Sequence, residues 1–339
     1  MKSGLNEWTS RRISGLRTLV RVLLVVALAL SAHSAWALQC LSTTGSTRLT
    51  EPIGSVQTYP VNAGNGAIIW ISPSRTTNVV CSKDQGGSEN LVAEDIYFYP
   101  NPNSAPLPGL QIGIRYNGQD YYGGARMSTG YSVPACTQAN FNAGRCRSTT
   151  VPLTYQVVIL KQGTWTGALP DTYAAFQFDG VLGLNAIGNH NFQYWLSGLS
   201  NLAPSPCTVD VTVTPEPGIV DFGQIQATTT GFSPAKPTRP FSLLLNKQQC
   251  DTGVNILGYF QSSNPVQNNL IVPSSDSNFG IGIQDRSGNQ VPIGEPFELM
   301  NFGPLQTQAS IPFTATLNAL GTPKIGPFTA TATVLVLYN

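Results

Sequence analysis

Along most of this chain apolar and polar residues alternate with a period of two, and no stretch sustains the 3.6-residue apolar period of an amphipathic helix. Alternation sends successive side chains to opposite faces, so each such run predicts a half-buried β-strand. Ala67–Ser72 (AIIWIS) and Asp95–Tyr99 (DIYFY) are β-rich runs. Leu110, Ile112, Ile114 and Tyr116 alternate, and Asn117-Gly118 then supplies a hairpin turn into Tyr121 and Tyr122. Leu153–Leu160 (LTYQVVIL) is apolar enough for a buried strand. Phe176 with Phe178, and Phe192 with Tyr194 and Leu196, mark two more.

A second series opens at Cys207, with Val209, Val211 and Val213 on one parity and Thr208, Asp210, Thr212 and Thr214 on the other. Phe241–Leu245 runs toward Cys250, and Val254, Ile256, Gly258 and Phe260 alternate again. Gly280–Gln284 leads through Ser287-Gly288-Asn289 into Val291 and Ile293, which reads as a hairpin. The chain then closes on FTATATVLVLYN, residues 328–339. One parity there holds Phe328, Ala330, Ala332, Val334, Val336 and Tyr338; the other holds Thr329, Thr331, Thr333, Leu335 and Leu337. A strong strand with nothing after it to pair beside is an aggregation hazard unless something covers it.

Between the two series lies Asn201–Pro206 (NLAPSP), short and carrying two prolines, hence a semi-rigid connector. The pattern therefore predicts an all-β protein of two immunoglobulin-like or jelly-roll-type β-sandwich domains, residues 38–202 and 207–339, with a linker at 203–206. Residues 1–37 read as a signal peptide. Arg11, Arg12, Arg17 and Arg21 form a basic stretch, and the apolar run from Val22 to Ala32 is shorter than the ~20 residues of a membrane span. Ala35-Trp36-Ala37 has the A-x-A form of a cleavage site, so the mature chain is expected to start Leu38-Gln39-Cys40.

Composition agrees with an exported β-protein. Charged residues make up 10% of the chain, against roughly 25% in an average soluble protein. Five of the 18 basic and one of the 17 acidic residues leave with the signal peptide, so the mature chain carries 13 and 16, a net charge of −3. No basic stripe remains, which argues against nucleic acid as a partner. All six cysteines, Cys40, Cys81, Cys136, Cys146, Cys207 and Cys250, lie in the mature part, as disulfides formed in an oxidising compartment would. Sequential pairing is the simplest of the many connectivities and keeps every bridge inside one domain. With no CxxC pair and His190 as the one mature histidine, a zinc site is disfavoured and no cofactor or metal is expected.

Residues 207–339 resemble the pilin domain of chaperone–usher fimbriae. The resemblance rests on CTVDVTVTPEPGIVDFGQI with its strand cysteine and Pro-rich turn, FSLLLNKQQC with the partner cysteine, and GIGIQDRSGNQVPIG as the mid-domain hairpin. It also rests on the closing pattern, with Tyr338 penultimate and a glycine, Gly326, upstream of the alternating apolar run. It implies an incomplete sandwich lacking its last strand. A periplasmic chaperone and then an adjacent fimbrial subunit would supply that strand, with export through an outer-membrane usher. The groove would be lined by Gly326, Phe328, Ala330, Ala332, Val334, Val336 and Tyr338. An ordinary pilin carries a donor extension before its first cysteine; here Cys40 follows the expected cleavage site almost at once, and a whole β-domain precedes the pilin domain. The expectation is a tip adhesin, extracellular at the fimbrial tip, that receives a strand and binds a host or surface receptor, which the resemblance implies to be a carbohydrate.

Carried over from the mannose-binding members, the receptor pocket would use the mature N-terminus at Leu38, Asp84 after Cys81, Gln162 after Ile159-Leu160-Lys161, and then Trp165, Asp171 and Tyr173. Leu38 replaces an aromatic residue, Lys83 stands where an amide is expected and Asp171 is out of register, so mannose itself is not implied. A second candidate is the tyrosine set Tyr97, Tyr99, Tyr116, Tyr121, Tyr122 and Tyr131, a residue type that favours binding surfaces and strands alike. A third is the Cys136–Cys146 loop with Arg145 and Arg147. No G-x-S-x-G, H-E-x-x-H or P-loop motif is present, so binding rather than catalysis is expected. Glu94 and Asp95 are adjacent on a strand and point to opposite faces, so they do not form a glycosidase pair. The competing reading is a structural tip or initiator subunit whose first domain only caps the fibre.

Overall fold

The computed structural model describes residues 38–338, apart from 55–56, 85–90, 165–167, 182, 186 and 249; the signal segment and Trp165 lie outside the described residues. The described chain is nearly all strand, with one short α-helix, Gln138–Asn142, and a 3-10 turn at Leu199–Asn201.

Two sheets build the N-terminal half. One runs in the order Leu38–Ser42, Arg75–Lys83, Thr149–Lys161, Leu110–Tyr116, Gln119–Tyr122, with Ile68–Ile71 on the far end of Thr149–Lys161. The other runs Arg48–Pro52, Gln193–Ser197, Thr172–Gly180, Glu94–Pro100, Met127–Val133. Their inner faces are the apolar parities of the sequence. Phe98, Tyr155, Phe176, Phe178 and Tyr194 meet there, with Phe98 edge-on to Phe176 at 5.1 Å and Phe176 stacked on Tyr194 at 5.2 Å. Burying one such ring stabilises by roughly 1.5–3 kcal/mol. The hairpin at residues 110–122 turns on Asn117 (φ 52°) and Gly118 (φ 73°), and two positive φ values in a two-residue loop are why this dipeptide sits there.

The C-terminal half has its own core. Thr208–Thr214, Thr238–Gln248, Gln308–Ala319, Phe279–Gln284, Leu270–Ile271 and Val266–Gln267 form one sheet. Pro296–Phe302, Val254–Ser262 and Ala332–Tyr338 form a three-stranded sheet. Leu243, Leu245, Ile256, Phe302 and Leu317 lie fully buried in this core. The predicted hairpin after Gln284 is made only in part. Asp285 N–H donates to Asn289 O and Val291 N–H to Ile283 O, but Ile293 leaves the hairpin and bridges to Phe260 instead. Lys247 is buried without a carboxylate; its Nζ donates to the carbonyls of Thr252, Gly303 and Pro304 at 2.8–3.1 Å, which meets the needs of a buried ammonium.

The disulfides are Cys40–Cys81, Cys136–Cys146 and Cys207–Cys250. The first and third span 41 and 43 residues, and each closure stabilises by roughly 4 kcal/mol in the chain-entropy model.

The connector is not a free tether. Leu202–Ser205 is a strand, parallel to Gln57–Pro60, so the backbone leaving the first half is already paired. The two halves also touch through a small apolar cluster of Ile71, Val158, Leu160, Tyr259 and Leu337. Polar contacts ring it: Arg115 Nη1 donates to Tyr259 Oη (2.6 Å), Tyr259 Oη donates to Gln156 Oε1 (3.2 Å) and Gln156 Nε2 donates to Gly294 O (2.9 Å).

Candidate functional site

The first site is a groove. Ala332–Tyr338 pairs on one edge with Val254–Ser262, from Ile256 opposite Tyr338 to Ser262 opposite Ala332. Among the described residues no strand pairs with its other edge. Beside that edge runs an apolar groove of about 600 Å³, floored by Leu243, Phe260, Ile281 and Ile283 and bordered by Phe328, Ala332 and Val334. Gly326 and Ala330 also line it, while Val336 and Tyr338 line a smaller cavity with Thr208, Val209 and Asp210. The groove is closed at this end, because Val209 N–H donates to Tyr338 Oη at 2.6 Å and ties the last strand to the first strand of its half. Phe328, held against Phe279 at 5.0 Å, marks the open end.

The other face of the same strand has a different neighbour. Leu335 and Leu337 pack into the cluster between the two halves. This explains the sequence change on that parity from Thr329, Thr331 and Thr333 to Leu335 and Leu337: the leucines are covered by the first half.

The second site is a polar cluster at the end of the N-terminal half remote from the connector. Leu38, fully buried, forms a strand pair with Lys83, and Lys83 Nζ meets Glu94 Oε2 at 2.9 Å. Asn185 Nδ2 donates to Asp84 Oδ2 (2.5 Å) and to Leu38 O (3.3 Å), and Asn191 Nδ2 donates to Leu38 O (2.8 Å). Asp179 is fully buried and accepts from Gln177 Nε2, Gly180 N–H and Asn185 N–H. Burial pushes its carboxyl up to about 7, against the opposing pull of those three donors. Asp84 Oδ1, Glu94 Oε1 and Asn191 Oδ1 are buried without a hydrogen-bond partner among the described residues.

Leu38 and Asp84 thus come together, and Asn185, Asn191, Glu94 and Asp179 join them. Gln162, Asp171 and Tyr173 do not. Thr149–Lys161 begins opposite Cys81 and runs 13 residues, so at ~3.3 Å per residue it carries Gln162 to the opposite end of the sandwich, roughly 40 Å away. Asp171 is near the connector, its Oδ1 accepting from Ser200 Oγ and its O from Leu199 N–H. Tyr173 is buried in the core. The six tyrosines do not form one patch either. Tyr116, Tyr121 and Tyr131 pack against the first core, Tyr122 joins the cluster between the halves, and Tyr97 and Tyr99 lie on the outer face of the second sheet. The Cys136–Cys146 loop carries the short helix Gln138–Asn142, capped at Thr137, with Arg145 and Arg147 exposed.

Residues 197–339 match the model of the fimbrial protein family, so the half that holds the groove carries that family's pattern. Among solved structures, the chain is similar to the P pilus rod subunit PapA, at 17% identity over 40% of this chain and 92% of that one, TM-score 0.30. It is also similar to the CsuC–CsuE chaperone–tip adhesion subunit complex of Acinetobacter baumannii, at 14% identity over 88% and 99% of the chains, TM-score 0.26. A third likeness is to the CupB6 tip adhesin of Pseudomonas aeruginosa, at 14% identity over 89% and 98%, TM-score 0.23.

Proposed function

We propose that this chain is a tip adhesin of a chaperone–usher fimbria: its C-terminal half accepts a β-strand from another chain and its N-terminal half binds a receptor. One observation carries the assembly half. An unpaired strand edge lies beside an open apolar groove, in the half that matches the fimbrial family. A donated strand of alternating apolar residues would satisfy the free backbone groups and fill the groove, the mode of recognition called β-strand addition. In this reading a periplasmic chaperone supplies the strand first, the usher exports the complex, and the adjacent fimbrial subunit replaces the chaperone. The protein then sits at the extracellular end of the fibre.

One feature supports receptor binding by the first half: a polar cluster at its end remote from the connector. The test is to produce the mature full chain with a donor strand linked after its C-terminus. A soluble monomer that adheres to host cells or to an immobilised glycan supports the reading. A soluble monomer with no adhesion to any surface favours the structural tip subunit, and a chain that is soluble and monomeric without any donor strand defeats the strand-acceptance half.

A further inference from the structure

The two outer faces of the N-terminal sandwich differ. On the sheet containing Thr149–Lys161 the outer face carries hydroxyls such as the exposed Thr76–Thr154 pair, 2.8 Å apart, and farther along is covered by the second half over Val158 and Leu160. On the sheet containing Thr172–Gly180 it carries aromatic rings, amides and guanidinium groups in a connected array. Phe176 and Phe178 point into the core, so Gln177 and Asp179 lie on the other parity, where both are themselves buried; Gln193, Trp195, Tyr97 and Tyr99 share that parity and are half-buried, and Arg48 and Arg126 are exposed.

The array is held in one geometry. Arg48 lies 4.1 Å above the Trp195 ring and its Nε donates to Thr50 Oγ1 at 3.0 Å. Trp195 Nε1 donates to Gln193 Oε1 (2.9 Å), Gln193 Nε2 to Gln177 Oε1 (2.6 Å) and Gln177 Nε2 to Asp179 Oδ2 (2.8 Å). At the other side Arg126 lies 4.6 Å above the Tyr97 ring and donates to Val181 O. Tyr99 Oη donates to Gly180 O at 2.5 Å. Each amide is oriented by the next group, and both guanidinium planes are stacked, which removes much of the ordering cost of binding.

From this array we infer that the outer face of the sheet is a binding platform for a carboxylate-bearing oligosaccharide. The half-buried Gln193 amide, fixed by its neighbours, serves a sugar hydroxyl, and each exposed arginine, stacked on the Trp195 or Tyr97 ring, presents a planar fork to a carboxylate. The site is extended, because the strand that carries Arg48 and the strand that begins just after Arg126 are four sheet spacings apart, roughly 19 Å at ~4.8 Å per spacing. Two cations on a chain of net charge −3 are too few for a nucleic acid, and none of the exposed large apolar side chains belongs to this array, so the face lacks the apolar centre of a protein interface.

This inference deepens the adhesin reading and rests on it, but it places the grip on the exposed arginines of the sheet face, which adjoins the distal cluster through the shared Asp179. The experiment measures binding of the mature full chain to immobilised tetragalacturonate and sialyllactose, with neutral tetragalactose and lactose as controls. Binding to either acidic sugar, at least tenfold weaker for its neutral counterpart and for Arg48→Gln or Arg126→Gln, is the expected result; the two acidic probes separate a uronate from a sialate. Both arginines are exposed, so these variants fold, and Trp195→Phe, which leaves a smaller aromatic face under Arg48 and loses the N–H to Gln193, gives an intermediate loss. Equal binding by wild type and both arginine variants, or no binding to either acidic sugar, overturns the inference. The adhesin reading fails separately: wild type would then adhere to no cell, whereas adhesion that survives both arginine substitutions sinks only the sheet-face platform.

Discussion

Tyr338 accepts a hydrogen bond from Val209 N–H at 2.6 Å while 5% exposed, and this bond closes one end of the groove. Tyr338→Phe keeps the ring in the core and removes only the acceptor. Val209 N–H is then left buried without that partner, which costs about 1–3 kcal/mol. A matched control exists in the other half. Tyr194 is fully buried, and its hydroxyl has no hydrogen-bond partner among the described residues. Removing that hydroxyl gives up no bond and relieves the burial of an unpaired polar group, so Tyr194→Phe is expected to be neutral or slightly stabilising. Thermal unfolding of the strand-complemented chain reads both, since ~1 kcal/mol shifts a domain of this size by about 3–5 °C. The C-terminal transition should fall by several degrees in Tyr338→Phe, and the N-terminal transition should hold or rise in Tyr194→Phe. An unchanged Tyr338→Phe, or equal losses in both, refutes the assignment of the bond as the closure of the groove.

Further outcomes follow from other contacts. Asp179 has a folded-state pKa raised to about 7 from an ordinary 3.8, so the native state holds its proton more tightly. Stability of the first half is therefore full below about pH 4 and falls as pH rises to about 7, by at most about 4 kcal/mol; urea unfolding of wild type against Asp179→Asn should show this slope only in wild type. Tyr259→Phe removes the acceptor of Arg115 and the donor to Gln156, and should increase the spread of distances between spin labels on the two halves while both melting transitions persist. Deleting residues 328–339 removes the accepting edge and should abolish co-purification with a periplasmic chaperone, read by affinity capture from the periplasm.

Much of the fold was legible because one face of each strand is buried and the period of two survives in the sequence. Val209, Val254, Ile256 and Phe260 all lie in the second core, as their parity requires. The connector was harder to read. NLAPSP looks like a loop by composition, yet Leu202–Ser205 pairs with Gln57–Pro60, a partner far away in sequence whose short run carries no strand pattern of its own. The candidate site was read least well. The resemblance to the mannose-binding members implied Gln162 beside Asp84, but a 13-residue strand separates the ends of the sandwich. The outer-face array has a signal in the sequence: in FQFDG and FQYWLS the parity opposite the buried rings holds Gln177, Asp179, Gln193 and Trp195. Only register shows that these side chains meet, since Gln177 faces both Gln193 and Tyr99 across its two neighbours.

The central claim is that the last strand accepts another strand along its free edge, and backbone hydrogen exchange measures this directly. Residues 332–338 are compared in the mature chain before and after a linked or added donor strand. The account predicts slow exchange throughout for amides bonded to Val254–Ser262, and a large gain in protection confined to the amides on the opposite edge when the donor is present. Free-edge amides that are already protected without a donor, or that stay exposed with one, would contradict it.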